Sequence, residues 1–175
     1  EYTYVIDRIE WHYCLNESGE AINVYANLNS TNEDIDTVTI PAKIGEHTVV
    51  SIGKYPYYEY NIFGNTRDEK IKKVIIPDSV KEIKRYCFIN CMALENAQIP
   101  NSVEIIGNKA FYHCEKLKGE GFKLPENLTT IEDYAFHSCY NLNIENIEFP
   151  SNLKSIGNYA FYNCKSLTGN LNLPD

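Results

Sequence analysis

The sequence predicts an α+β repeat solenoid: stacked short coils, each with brief strands and a single helical turn, behind an N-terminal β-hairpin cap. Three observations carry this. A phrase of the form I-P-x-x-V-x-x-I-G-x-x-A-F-x-x-C-x-x-L begins at Ile76, Ile99, Leu124 and Phe149, and a further copy opens at Leu173. Successive starts lie 23, 25, 25 and 24 residues apart, a period that marks coils unable to bury an apolar side alone. Residues 1–38 lack the phrase, yet alternate apolar and polar positions as half-buried strands do.

The cap comes first. Trp11, Tyr13 and Leu15 alternate with polar or small neighbours, and so do Ile22, Val24, Ala26 and Leu28. Asn16 to Glu20 between them is turn-rich, which is a hairpin signature. A degenerate first repeat follows over 39–71. It opens at Thr39-Ile40-Pro41, matches the phrase again at Val49 to Gly53, and carries an irregular insertion with Tyr55, Tyr57, Tyr58 and Tyr60. Phe63 takes the place of the repeat phenylalanine. Regular repeats are expected at 72–94, 95–117, 118–142 and 143–167, with a partial copy at 168–175.

Within a repeat, the run into the proline alternates like a strand: Val74 and Ile76, Ala97 and Ile99, Phe122 and Leu124, Ile147 and Phe149, Leu171 and Leu173 point inward. Proline ends the strand because it has no amide hydrogen to donate. The V-x-x-I pair supplies a second apolar segment at Val80/Ile83, Val103/Ile106, Leu128/Ile131 and Leu153/Ile156. Gly107 and Gly157 after it predict a turn with positive φ; Lys84 and Glu132 stand there in the other copies. Phe, Cys and Leu at intervals of three predict one helical or 3₁₀ turn facing the core. Stacking then aligns Phe88, Phe111, Phe136 and Phe161 in one ladder and Cys91, Cys114, Cys139 and Cys164 in another. The favoured state of these cysteines is buried free thiols acting as small apolar residues. A disulfide between neighbouring coils and a metal site are the weaker readings, the latter because no C-x-x-C pair appears.

Ile99 to Cys114 match, almost throughout, the consensus of the BspA-like (Treponema-type) leucine-rich repeat, and the likeness extends over residues 39–175. The chain therefore resembles that family. The resemblance implies a right-handed leucine-rich-repeat coil found on secreted or surface proteins, mostly bacterial, often in adhesion or host-protein binding. It implies no enzyme activity. Cys87 in place of the repeat alanine and the irregular residues 54–70 depart from the pattern.

Composition narrows the function further. The formal net charge is −8 over 175 residues, which argues against nucleic acid, since phosphate binding needs clustered Lys and Arg. No apolar run reaches the ~20 residues that span a bilayer, so no membrane insertion is expected of this sequence. The chain begins at Glu1 rather than Met and reads as a mature or trimmed product. No spaced acid completes a triad with His137 and Ser138. No metal or cofactor motif is present, so neither a catalytic nor a metal site is assigned.

The expectation is a non-enzymatic, extracellular or cell-surface binding or adhesion module that contacts a host or matrix protein, or a glycan, through one solenoid face. The alternative is a spacer within a larger surface protein. The outward columns of the pre-proline strands give one candidate contact set, Asn96, Gln98, Lys123, Asn146 and Glu148. The Tyr55, Tyr57, Tyr58 and Tyr60 insertion gives another. Tyrosines that recur beside the helical turn are read as coil-to-coil stacking. End-to-end self-association is expected of a solenoid with an open last coil.

Overall fold

A computed structural model of the chain describes residues 1–28, 34–53, 60–64, 67–118, 122–143 and 145–172; side chains are described for these except residues 145–147 and 169–172. Three antiparallel strands open it, β1 (Tyr2–Ile6), β2 (Ile9–Leu15) and β3 (Ala21–Asn27). The β2–β3 turn forms because Asn16 Oδ1 accepts the amides of Ser18 and Glu20 at 3.1 and 2.9 Å, and Gly19 supplies φ +74°. The β1–β2 turn runs through Asp7 and Arg8, both at positive φ. Sequence reasoning foresaw a hairpin and missed β1, because Asp-Arg lacks the glycine or asparagine that marks such a turn. A bulge between His12 and Cys14 opposite Asn23 also breaks the simple alternation of β3, so Ile22 is only half-buried while Ala21, Val24 and Ala26 are buried.

The meander runs straight into the repeats. β3 pairs in parallel with β7 (Ser51–Ile52), and the sheet continues through β9 (Glu82–Ile83), β11 (Ile105–Ile106), β12 (Thr130–Ile131) and β14 (Ser155–Ile156), making eight strands. A two-strand hairpin, β5 (Lys43–Ile44) and β6 (His47–Thr48), decorates the first repeat. The pre-proline strands build a second side. β4 (Thr37–Thr39), β8 (Lys73–Ile75) and β10 (Asn96–Gln98) form one parallel sheet, and β13 (Glu145–Glu148) pairs separately with β15 (Thr168–Asn172). Residues 122–124 carry no strand between them.

The third side corrects the helical expectation. Among the described residues there is no helix. In the second coil Cys87, Ile89 and Cys91 donate to the carbonyl three residues back, at 3.1–3.2 Å, but Tyr86, Phe88 and Asn90 donate to Asn108, Ala110 and Tyr112 of the next coil at 2.7–2.9 Å. A helix keeps its amides internal; here alternate amides knit neighbouring coils together. Two residues per coil sit at φ between 54° and 61° to allow this: Tyr86, Lys109, Tyr134 and Tyr159, and Asn90, His113, Ser138 and Asn163. Left-handed backbone costs a non-glycine residue about 1 kcal/mol, which the inter-coil hydrogen bonds offset.

Positive φ therefore falls two residues beyond Gly107 and Gly157, not on them. These glycines serve close approach instead. A Cβ on Gly107 would lie 2.6 Å from the Arg85 amide nitrogen, and one on Gly157 would lie 2.3 Å from that of Asp133. The core between the three sides is apolar and continuous. Phe63, Phe88, Phe111 and Phe136 are fully buried, with ring centroids 6.4, 5.0 and 5.1 Å apart along the series, and Phe136 stacks on half-buried Phe161 at 5.2 Å.

Candidate functional site

The cysteine ladder belongs to the core. Cys91, Cys114, Cys139 and Cys164 are buried, and all six cysteines are free. Each thiol from Cys114 onward donates to the phenylalanine carbonyl of the preceding coil: Cys114 to Phe88, Cys139 to Phe111 and Cys164 to Phe136, at 3.0–3.1 Å. Burial pushes the thiols of Cys87, Cys91, Cys114 and Cys139 upward, away from the reactive thiolate. Asp68 holds the ladder position in the first repeat. It bridges to Cys91, is buried, and accepts the amides of Lys70 and Ile71 at 3.1 and 2.8 Å. A buried aspartate has no hydrophobic signature, so in the sequence it is one of the irregular residues 54–70 that depart from the repeat pattern.

The aromatic turn side is ordered by stacking. Tyr112, His137 and Tyr162 occupy one column with centroids 4.7 and 5.1 Å apart, and Tyr134 stacks on Tyr159 at 5.3 Å. Lys109 lies 5.5–5.9 Å from the rings of Tyr86, Tyr112 and Tyr134. Stacking covers part of each ring, while Tyr159 and Tyr162 stay more than half exposed. Ser138 Oγ lies 2.9 Å from His137 Nδ1, but Ser138 is buried and also receives Asn163 Nδ2 at 3.2 Å, and no carboxylate bonds His137 among the described residues. This grouping lacks the geometry of an activated nucleophile.

Of the tyrosine insertion, Tyr55, Tyr57 and Tyr58 lie outside the described residues; Tyr60 is exposed. The pre-proline column is divided by the gap between the two sheets. Glu148 is exposed on β13, where Asn146 also lies, while Asn96 and Gln98 project from β10. The gap itself is the notable feature. Asn96, Gln98 and Lys123 meet there around a groove of about 350 Å³, with Asn101, Lys118 and Phe122. Phe122 is half-buried and meets Phe136 edge to face at 5.7 Å, so one wall of the groove rests on the core. Lys118 Nζ lies 2.6 Å from Glu95 Oε2, and that bond is the main reason the Glu95 carboxyl titrates below its usual range. Asn101 Oδ1 accepts the Glu126 amide at 3.3 Å. The side chains of Asn96, Gln98 and Lys123 make no hydrogen bond or ion pair among the described residues.

Sequence reasoning named three of these residues but not Asn101, Lys118 or Phe122; Phe122 was read as a purely inward strand residue. A second concavity of about 300 Å³ holds Glu132 and Asp133. Their carboxylates accept the Asn108 and Asn158 amides at 2.7 and 2.6 Å, so they serve the coil turns. No cluster of metal-ligating side chains and no helix fit to cross a membrane occurs among the described residues.

Parallel coils joined on three sides, with Phe and Cys ladders inside, define a leucine-rich-repeat scaffold. The model of the BspA-type leucine-rich repeat region, in six copies, matches residues 30–168, and the chain belongs to that family. Among solved structures it is similar to a leucine-rich repeat protein of Bacteroides ovatus (32% identity, TM-score 0.74, covering 95% of this chain and 40% of that one). It is also similar to the Treponema pallidum leucine-rich repeat protein (23%, 0.73, 94% and 69%) and to a leucine-rich cell-surface protein of Faecalibacterium prausnitzii (22%, 0.54, 96% and 54%). The chain thus spans 40% of the length of the Bacteroides ovatus protein. No curated protein matches it.

Proposed function

We propose that this solenoid is a non-enzymatic binding module of a cell-surface or secreted protein, and that it recognises a protein or glycan through its pre-proline side. The observation that carries the reading is the groove at the break between β10 and β13. It gathers amide and ammonium groups without partners among the described residues around an anchored aromatic wall. Concave sites with a few convergent polar groups on a rigid frame are the usual form of recognition sites. Surface location is supported by the Faecalibacterium prausnitzii relative, a cell-surface protein.

The spacer role is the second reading. It is favoured by the tyrosine columns, whose rings stack on one another between coils and so stabilise the array without a partner. The test is binding of the chain to an array of extracellular-matrix proteins and glycans. Saturable binding to a member supports the module; an array with no binder supports the spacer.

A further inference from the structure

We infer that the groove between β10 and β13 takes an acidic saccharide, its carboxylate held by Lys123 and its ring faced by Phe122. This rests on the binding-module reading above and names its ligand class.

The argument begins with charge. The chain carries 24 Asp and Glu against 16 Lys and Arg, yet among the described residues no acidic side chain lines the groove, whereas Lys118 and Lys123 both do. Glu95 engages Lys118 from outside it. Lys123 is exposed and has no carboxylate within ion-pair distance among the described residues. Among the described residues Lys123 is therefore an uncompensated positive charge at a concavity of a negative protein, and low-dielectric walls focus such a field on an incoming anion. A lysine ammonium and a carboxylate make a charge-assisted hydrogen bond.

The saccharide part follows from the other walls. Asn96 and Gln98 each offer an amide with both donors and an acceptor, the complement of neighbouring hydroxyls that themselves donate and accept. Asn101 contributes its NH2, since its oxygen already accepts the Glu126 amide. Phe122 adds an apolar surface for the C–H face of a pyranose, held in place by its edge-to-face contact with Phe136. A volume of about 350 Å³ lies within the roughly 300–1,000 Å³ of small-ligand sites, enough for a short stretch of sugar units and too little for a folded protein surface. An acidic peptide would also match the lysines, and its backbone N–H and C=O groups would pair with Asn96 and Gln98, but it brings no pyranose C–H face to Phe122.

The test is calorimetric or interferometric binding of the whole chain to four probes: a tetrasaccharide alternating glucuronate and N-acetylglucosamine, its carboxyl-reduced form, a neutral chitin tetramer and an oligoglutamate peptide. The glucuronate probe is expected to bind at least tenfold more tightly than its reduced form, and to weaken as salt rises. Lys123→Gln should lower its affinity about tenfold and abolish the preference over the reduced form, while Lys123→Arg retains both. Gln98→Ala should weaken both tetrasaccharides alike. Equal binding of charged and reduced forms, still lost in Gln98→Ala, overturns the acidic assignment and leaves the binding-module reading standing. Tighter binding of oligoglutamate overturns the saccharide assignment. Failure of the glucuronate probe to bind at millimolar concentration overturns the inference; the protein and glycan array then decides the module reading separately.

Discussion

Replacing Gly107 with alanine separates two physical roles for that glycine. If Gly107 were present only to relieve a turn, or for no local reason, alanine at its ordinary φ would stabilise the fold by about 0.4–1 kcal/mol through the unfolded chain. The structure predicts the opposite sign. The added Cβ would sit 2.6 Å from Arg85 N, 2.8 Å from Lys84 C and 2.9 Å from Ile83 O, all backbone atoms of the preceding coil. That is about 0.8 Å short of ordinary contact, so the two coils must part by a comparable amount. Gly107 N donates to Ile83 O at 2.8 Å, and such a displacement takes that bond beyond hydrogen-bonding range. Overpacking costs about 1–3 kcal/mol and the lost bond about 1 kcal/mol, giving a net destabilisation of roughly 2–4 kcal/mol. For a chain of this size each kcal/mol lowers Tm by about 2–4 °C, so the melt should shift down by about 4–16 °C. Gly107→Asn should cost at least as much, although asparagine tolerates positive φ well. Urea unfolding followed by circular dichroism measures both variants. A neutral or stabilised Gly107→Ala, or an asparagine variant that matches wild type, would refute the close-approach argument.

Three further outcomes follow from the same geometry. Phe136→Ala removes a fully buried ring with two stacked neighbours and should cost about 3–5 kcal/mol. Phe161→Ala, half-buried with one stacked neighbour, should cost about half as much; denaturant titration of the pair compares them. Native-state labelling with a thiol reagent should spare Cys87, Cys91, Cys114 and Cys139, which burial keeps protonated, and unfolding should release all of them; modification of these four in the folded protein would contradict the ladder. Burial first, then His113, lowers the pKa of His137, so the unfolded chain takes that proton before the folded one does. Stability should therefore fall as pH drops below the unfolded value of about 6.5, until the folded group also protonates. His137→Tyr, which extends the column of Tyr112 and Tyr162, should flatten that part of the pH–Tm profile; an unchanged slope would assign it to other groups.

What could be read from the sequence was what repeats. The spacing of Ile76, Ile99, Leu124 and Phe149 announced coils, and the Phe88 and Cys91 series fall on the same side of each coil, as their period requires. The inward pairs Val80/Ile83, Val103/Ile106 and Leu128/Ile131 are fully buried. Three-residue spacing of Phe, Cys and Leu could not tell a helical turn from linked turns, because both place those residues on one side. The difference lies in where alternate amides go, and left-handed Tyr86, Lys109 or His113 leave no compositional mark. Gly107 and Gly157 were legible as special positions but not for the right reason, since close approach depends on the neighbouring coil. The groove illustrates the same limit. Asn96, Gln98 and Lys123 were visible as members of the outward columns, but the local groove that gathers them with Lys118 and Phe122 has no repeat signal.

The most direct measurement compares the parent chain, an Asn96→Ala/Gln98→Ala/Lys123→Gln variant and a Tyr159→Ala/Tyr162→Ala variant in saturation binding to the array's strongest partner, with circular dichroism to show that all three are folded. Loss of binding in the groove variant, with binding retained in the tyrosine variant, is the result the account predicts. Retained binding in the groove variant, or loss confined to the tyrosine variant, would contradict it and move the recognition surface to the aromatic turns.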